Sequence, residues 1–305
     1  MSARTQTDST KETYKKNISR LNDGKEIKNY NFLKKTDEIL KKISHLKPNT
    51  QRTYLISIVS TLKGVKGFDT VAKFYYNLMM EMNKDLKVNN SKSETQEKNW
   101  ISQDDVLGVY KNLYERVFPL LGLKKVNAKE WDEILDLIIL SLYTLNPPRR
   151  NKDYQACLWL NAPKDLPDNF KDFNYYDKDK FLFYQFKTMG TYGLQEMPIN
   201  PDLVELLKLY LKLHPLKKTK NPYLLVHYDG KPLDKVNDIT RILNRIFGKK
   251  IGVSMLRNIY LTDKFKDPIN ELRDTATAMG TSSSTIENNY IKMDSKQAIK
   301  DLLAI

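Results

Sequence analysis

Between Lys87 and Asp105 the chain reads KVNNSKSETQEKNWISQDD and offers almost nothing to bury. One hydrophobic core cannot run across such a stretch, so a chain of 305 residues must build two. We expect a polar linker near residues 84–101. On its N-terminal side, residues 1–10 are polar and expected to be disordered, and residues 11–83 have helical periodicity throughout. NYNFLKKTDEILKKISHL sets Phe32, Leu33, Ile39, Leu40 and Ile43 on one broad face. QRTYLISIVSTLKGV does the same with Tyr54, Leu55, Ile58 and Leu62, with Thr50 as the expected N-cap. FDTVAKFYYNLMMEMNKDL supplies another helix, which completes a small helical domain.

The C-terminal side, residues 102–305, is mixed. Ser102 followed by an acidic first turn predicts a helix over SQDDVLGVYKNLYERVFPLLG. AKEWDEILDLIILSLYTL is apolar nearly all round, as a buried helix should be, and NPP stops it. KFLFYQFKTMGTYGLQEMPI alternates, turns at Gly and Thr, then extends again, which predicts a β-hairpin or small antiparallel sheet. Helices resume with PDLVELLKLYLKL, LDKVNDITRILNRIFG, SMLRNIYLTDKF, INELRDTATAMG and SSTIENNYIKM, and an amphipathic tail, KQAIKDLLAI, closes the chain. The expected fold is mainly α with a small antiparallel sheet, in two domains.

Charge narrows the function. A formal net charge of +14 draws a protein to polyanions, nucleic acid first and acidic membrane second. No basic amphipathic helix with a Trp/Phe face stands out, which favours nucleic acid; compositional drift toward Lys, Asn and Ile is the competing explanation. Only ten of the 51 basic residues are Arg, so each Arg is a less casual choice. The single Cys157 excludes an internal disulfide and a multi-cysteine zinc site, and three scattered histidines make a histidine metal centre a poor fit. No apolar run approaches the ~18 residues of a membrane span, and the first residues lack the apolar core of a signal peptide, so we expect a soluble intracellular protein.

Within residues 101–305 the order of chemical groups is informative. NPPRRNKDYQACLWL holds Arg149 and Arg150 with Asp153 three residues past the second. QFKTMGTYGLQEMPIN holds Lys187, KKIGVSMLRNIYLTD holds Ser254 and Arg257, and TATAMGTSSSTIENNYIK holds Thr281 and Tyr290. Arg, hairpin Lys, Ser-x-x-Arg, Thr and Tyr in this order, with 24 residues from Arg257 to Thr281 and nine from there to Tyr290, resemble the tyrosine recombinases, or phage-type integrases. The resemblance extends loosely to the first domain, which is similar to the family's helical core-binding, or arm, domain. It implies a site-specific recombinase that cleaves and rejoins duplex DNA through a 3′-phosphotyrosyl intermediate, without metal, ATP or other cofactor. In that reading Tyr290 is the nucleophile, Arg150 and Arg257 hold the phosphate, and Lys187 protonates the leaving 5′ oxygen. Ser254 and Thr281 stand where the family usually has His, and His or Trp. Each can offer a hydroxyl to a phosphate oxygen, but neither can act as an imidazole. The resemblance also implies dimers on one DNA site, tetramers in synapsis, and no small-molecule substrate. The style of the boxes and the AT-rich flavour of the composition suggest a virus or virus-associated mobile element.

The two arginines fit the chemistry physically. A phosphodiester gains negative charge on its non-bridging oxygens as it becomes five-coordinate, and planar guanidinium forks are suited to hold that charge where no metal does. Simpler readings stay open beside these. Tyr290 can be read as a helix aromatic beside Ile286 and Met293, and Arg150 with Asp153 as an ion pair. Ser254 and Thr281 can each be read as N-caps, and His214 and His227, outside the boxes, as surface or turn residues. Two other functions share the pattern: a type IB topoisomerase-like DNA relaxing enzyme and a non-catalytic DNA-binding relative. In the first domain Arg52, Lys34, Lys35, Lys41 and Lys42 are candidate contacts to DNA phosphates. The tail's Ile299, Leu302, Leu303 and Ile305 suit docking on a neighbouring subunit or packing within their own.

Overall fold

The computed structural model describes residues 8–88, 91–155 and 157–292. The chain divides into two units, Met1–Lys92 and Ser93–Ile305. The first is four helices: α1 (Asp8–Leu21), α2 (Thr36–Ile43), α3 (Pro48–Leu62) and α4 (Asp69–Val88). Ile18, Leu33, Ile39, Leu55, Ile58 and Tyr75 are its buried centre. Each such aliphatic side chain contributes about 1.5–3 kcal/mol by leaving water. Buried polar groups are satisfied locally: Asn17 Nδ2 donates to Ser57 Oγ at 3.0 Å, and Tyr75 Oη donates to the Leu33 carbonyl at 2.9 Å. Two expectations change here. α1 begins at Asp8, inside the segment read as disordered, and residues 1–7 lie outside the described residues. α3 begins at Pro48 with Lys47 as N-cap, because proline is suited to the first helical position; Thr50 sits within the first turn.

The polar stretch is more structured than a linker. α4 runs on to Val88, and α5 (Glu94–Asn99) opens on a capping box in which the Ser93 hydroxyl and the Gln96 side chain satisfy each other's backbone N–H. Asn99 is buried, and its Oδ1 accepts from the Lys250 backbone at 3.0 Å. Hydrogen bonds rather than apolar spacing hold this segment, so a search for periodicity passes over it.

The second unit is built around α7 (Ala128–Thr144). Trp131, Ile134, Leu137, Ile138 and Leu142 are all buried on it, and Trp131 Nε1 donates to the Val226 carbonyl at 3.1 Å. Around it stand α6 (Gln103–Val117), capped by Ser102 as expected, α10 (Pro201–Leu213) and α11 (Asp238–Phe247). After the short α8 (Asn151–Gln155) come β1 (Cys157–Trp159), β2 (Asn174–Asp177) and β3 (Lys180–Phe183), then α9 (Met189–Tyr192) and β4 (Gln195–Pro198). The sheet order is β1-β2-β3-β4, with β1 parallel to β2 and the other pairs antiparallel.

The expected pairing of β3 with β4 is present, in register from Lys180 with Pro198 to Phe183 with Gln195. The antiparallel sheet becomes a mixed one of four strands. β1 and β2 are buried along consecutive residues, so no alternation marks them. His214 is also not a surface or turn residue in the sense expected. It is wholly buried and ringed by Trp131, Trp159 and Tyr210, whereas His227 is exposed.

The last long element is α12 (Val253–Ala278), where two helices were expected. Pro268 lies inside it without ending it. Proline deprives the carbonyl four residues back of its donor, but residues 261–271 are all exposed, so water can take that place at little cost. Among the described residues no helix is long and apolar enough to cross a membrane.

Candidate functional site

Pro147 and Pro148 bar α7 from continuing and deliver Arg149 and Arg150 in an irregular segment just before α8. The two arginines then diverge. Arg149 is fastened: Nε donates to Asp153 Oδ2 and Nη1 to Gln195 Oε1, both at 2.9 Å, and its guanidinium lies 3.8 Å from the Phe183 ring centroid. Asp153 keeps only 3% of its side chain exposed. Burial pushes its carboxyl above the usual range, against the pull of Arg149. The ion pair envisaged for Arg150 with Asp153 therefore belongs to Arg149. Arg150 is half-buried, and among the described residues its guanidinium has no hydrogen-bond or ion-pair partner.

Arg257 comes from the second turn of α12, 107 residues further along the chain than Arg150. It is half-buried and equally without a partner among the described residues. Burial first, then the neighbouring charge of Arg150, draws it below the ordinary guanidinium range, with Asp153 opposing. Arg149, Arg150, Arg257 and Asp153 line one cleft of about 240 Å³, with Tyr192 and Phe186 among its walls. Three guanidiniums face one carboxylate, which leaves an excess of two positive charges. Like charges held this close repel unless an anion sits between them. An anion that offers two charge-bearing oxygens, such as a phosphodiester, fits that need.

The other expected residues are not cleft-lining. Lys187 is exposed, between Phe186 and Thr188, which both line it. Ser254 is exposed in the first turn of α12, three residues before Arg257 and so on the same side of the helix. It is not the N-cap, a position held by Gly252. Thr281 is half-buried beyond the far end of α12. Its N–H donates to the Ala276 carbonyl at 2.9 Å, and that of Gly280 to Thr277 at 3.1 Å. These two bonds close the helix as a Schellman turn, with Gly280 left-handed at φ 64°. The cap of the next turn is Ser282, whose hydroxyl accepts from the Thr285 N–H, so Thr281 is not an N-cap either. Tyr290 ends a π-helical turn, Ile286–Tyr290, and is 61% exposed, while Ile286 is buried. Met293, the other neighbour expected for it, lies outside the described residues.

Measured along α12, Arg257 is about 28 Å from Ala276, on which the Tyr290 segment closes. That is several times the length of a tyrosine side chain. Tyr192, Phe186 and Gln195 were missed in the sequence. Pairing of β4 with β3 sets Gln195 opposite Phe183 and so brings it to Arg149, while Phe186 and Tyr192 lie in the connection between those two strands.

In the first unit most candidate cations are engaged. Lys42 bonds the Leu21 carbonyl and Asp23, Lys35 pairs with Glu38, Lys34 lies over the Phe68 ring, and Arg52 donates to Asn83. Lys41 has no such partner among the described residues. The tail from Lys296 lies outside the described residues. No family model matches the chain, and a search of curated proteins finds no match.

Proposed function

We propose that the protein breaks and rejoins DNA strands in the manner of a tyrosine recombinase. What supports this reading above all is that Arg150 and Arg257, distant in sequence and unpaired among the described residues, share one cleft with an excess of positive charge. In the reaction the Tyr290 phenol oxygen bonds to the phosphorus as the bond to the 5′ oxygen breaks. Lys187 gives that oxygen a proton, and the phenol proton leaves to solvent, since Ser254 and Thr281 have no imidazole to take it. The number of phosphodiester bonds is conserved, so attack by a free 5′ hydroxyl reverses the step and reseals a strand. The two guanidiniums hold the charge that develops on the non-bridging oxygens.

A pool of random-sequence duplexes, each carrying a nick beside the scissile position, tests this. The nick lets the 5′ product diffuse away, so cleavage leaves DNA covalently bound to the protein. We expect adducts from the wild type, none from Tyr290→Phe, and a fall of about 10²–10³-fold from Arg150→Ala or Arg257→Ala. A second reading, DNA binding without cleavage, draws on the length of α12 between Arg257 and Tyr290. It requires salt-sensitive DNA binding with no adduct from any sequence in the pool.

A further inference from the structure

Ser254 and Thr281 stand in place of ring donors to the phosphate, and neither lines the arginine cleft. The charge on two non-bridging oxygens then falls to the guanidiniums alone unless the cleft holds other donors. It holds two hydroxyls, those of Thr188 and Tyr192, both from the connection between β3 and β4. Neither hydroxyl has a hydrogen-bond partner among the described residues. Thr188 occupies the N-cap position of α9 yet makes no cap bond there. Tyr192 ends the same single turn four residues on, which sets the two on one side of it. Tyr192 is 55% exposed, open to whatever enters the cleft. Of the two, a phenol is the better donor to an oxyanion.

The connection is pinned at both ends. Buried Asn174 holds its start: Oδ1 accepts from the Gln185 N–H at 2.7 Å, and Nδ2 donates to the Gln185 carbonyl at 2.9 Å. Its end is Gln195, which is fastened to Arg149. Between them Gly193 turns left-handed at φ 66° and donates to the Met189 carbonyl at 2.7 Å, which stops α9 directly after Tyr192. The phenol is thus set at the cleft by local bonds, and a donor already in place is the kind that stabilises a developing charge. We propose that Tyr192 is a further catalytic residue. Its phenol donates a hydrogen bond to a non-bridging oxygen of the phosphate that Arg150 and Arg257 hold, and that bond strengthens as the phosphorus becomes five-coordinate. Tyr192 forms no covalent bond to DNA. The inference rests on the strand-cleavage reading above.

Single-turnover adduct formation on the nicked duplexes tests it. Tyr192→Phe keeps the ring and removes the hydroxyl, so the rate should fall about 100-fold while DNA affinity and melting temperature stay as in wild type. The adduct that still forms should map to Tyr290. Thr191→Ala removes a hydroxyl from the same turn, but one outside the cleft, and should react as wild type does. Duplexes with sulfur for the bridging 5′ oxygen have a leaving group that needs no proton, and on them the Tyr192→Phe deficit should persist. If wild type forms adduct and Tyr192→Phe matches its rate, the role is overturned while strand cleavage stands. The same holds if Thr191→Ala is slowed as much as Tyr192→Phe, since the turn and not the phenol would then matter. Rescue of Tyr192→Phe by sulfur would make Tyr192 a proton donor to the leaving oxygen and overturn the contact proposed. Adduct that survives Tyr290→Phe and maps to Tyr192 would make Tyr192 the attacking phenol, against both assignments. If wild type forms no adduct, both readings fall together.

Discussion

Arg149 and Arg150 are adjacent and chemically identical, yet their roles separate through one carboxylate. Asp153 is four residues from Arg149 and three from Arg150, and both spacings permit a pair, so spacing alone does not choose between them. The sequence suggested Arg150 as the partner of Asp153. The clamp by Gln195 and the Phe183 ring that fastens Arg149 there instead was not legible, because both come from the sheet. The two should therefore fail differently. Arg149→Ala leaves a buried carboxylate unpaired and should cost about 3–5 kcal/mol of stability, read by denaturant unfolding. Arg150→Ala should leave stability unchanged within about 0.5 kcal/mol and weaken DNA binding. His214 makes a separate prediction. Burial pulls its pKa down from 6.5 to about 4, so the folded protein keeps it neutral while the unfolded chain takes up a proton. Its contribution is intact above pH 6.5 and is lost as pH falls toward 4, about 3 kcal/mol in all. Unfolding free energies of wild type and His214→Asn between pH 7 and 4 should diverge in slope over that window, the variant being flatter.

At the scale of elements, helices announced by caps and periodicity were legible. Ser102 and the apolar run after Asn127 mark α6 and α7 as the structure has them. The parallel pair β1–β2 was not, since its strands are held by tertiary neighbours rather than by their own pattern. α12 shows a different failure, for Pro268 is a correct breaker signal that solvent makes cheap to ignore. Replacing it with Ala restores a backbone donor and should stabilise the exposed half of α12 by up to about 3 kcal/mol, seen as slower amide exchange over residues 264–272. Ile286 is the buried anchor of the turn that carries Tyr290. Ile286→Ala should speed exchange over residues 276–290 and lower adduct formation, with DNA affinity kept.

For the whole molecule, charge and the polar stretch were legible at once, and both point beyond the site. The two units have separate cores, one around Ile58 and Tyr75, the other around α7. A fragment of residues 93–305 should accordingly fold alone with a single cooperative transition, measured by circular dichroism. DNA affinity of the full chain should fall steeply with salt, with a log–log slope of about −0.9 per phosphate neutralised. Arg150→Ala should make that slope shallower by about one phosphate.

An unbroken helix between Arg257 and the Gly280 turn fixes an angle as well as a length. Adding or deleting one residue anywhere in α12 would rotate everything beyond it by about 100° and shift it by about 1.5 Å. The turn that carries Tyr290 would then face a different compass bearing from Arg257. Natural variation in this helix should come in whole turns, three or four residues at a time, while the loops on either side vary freely.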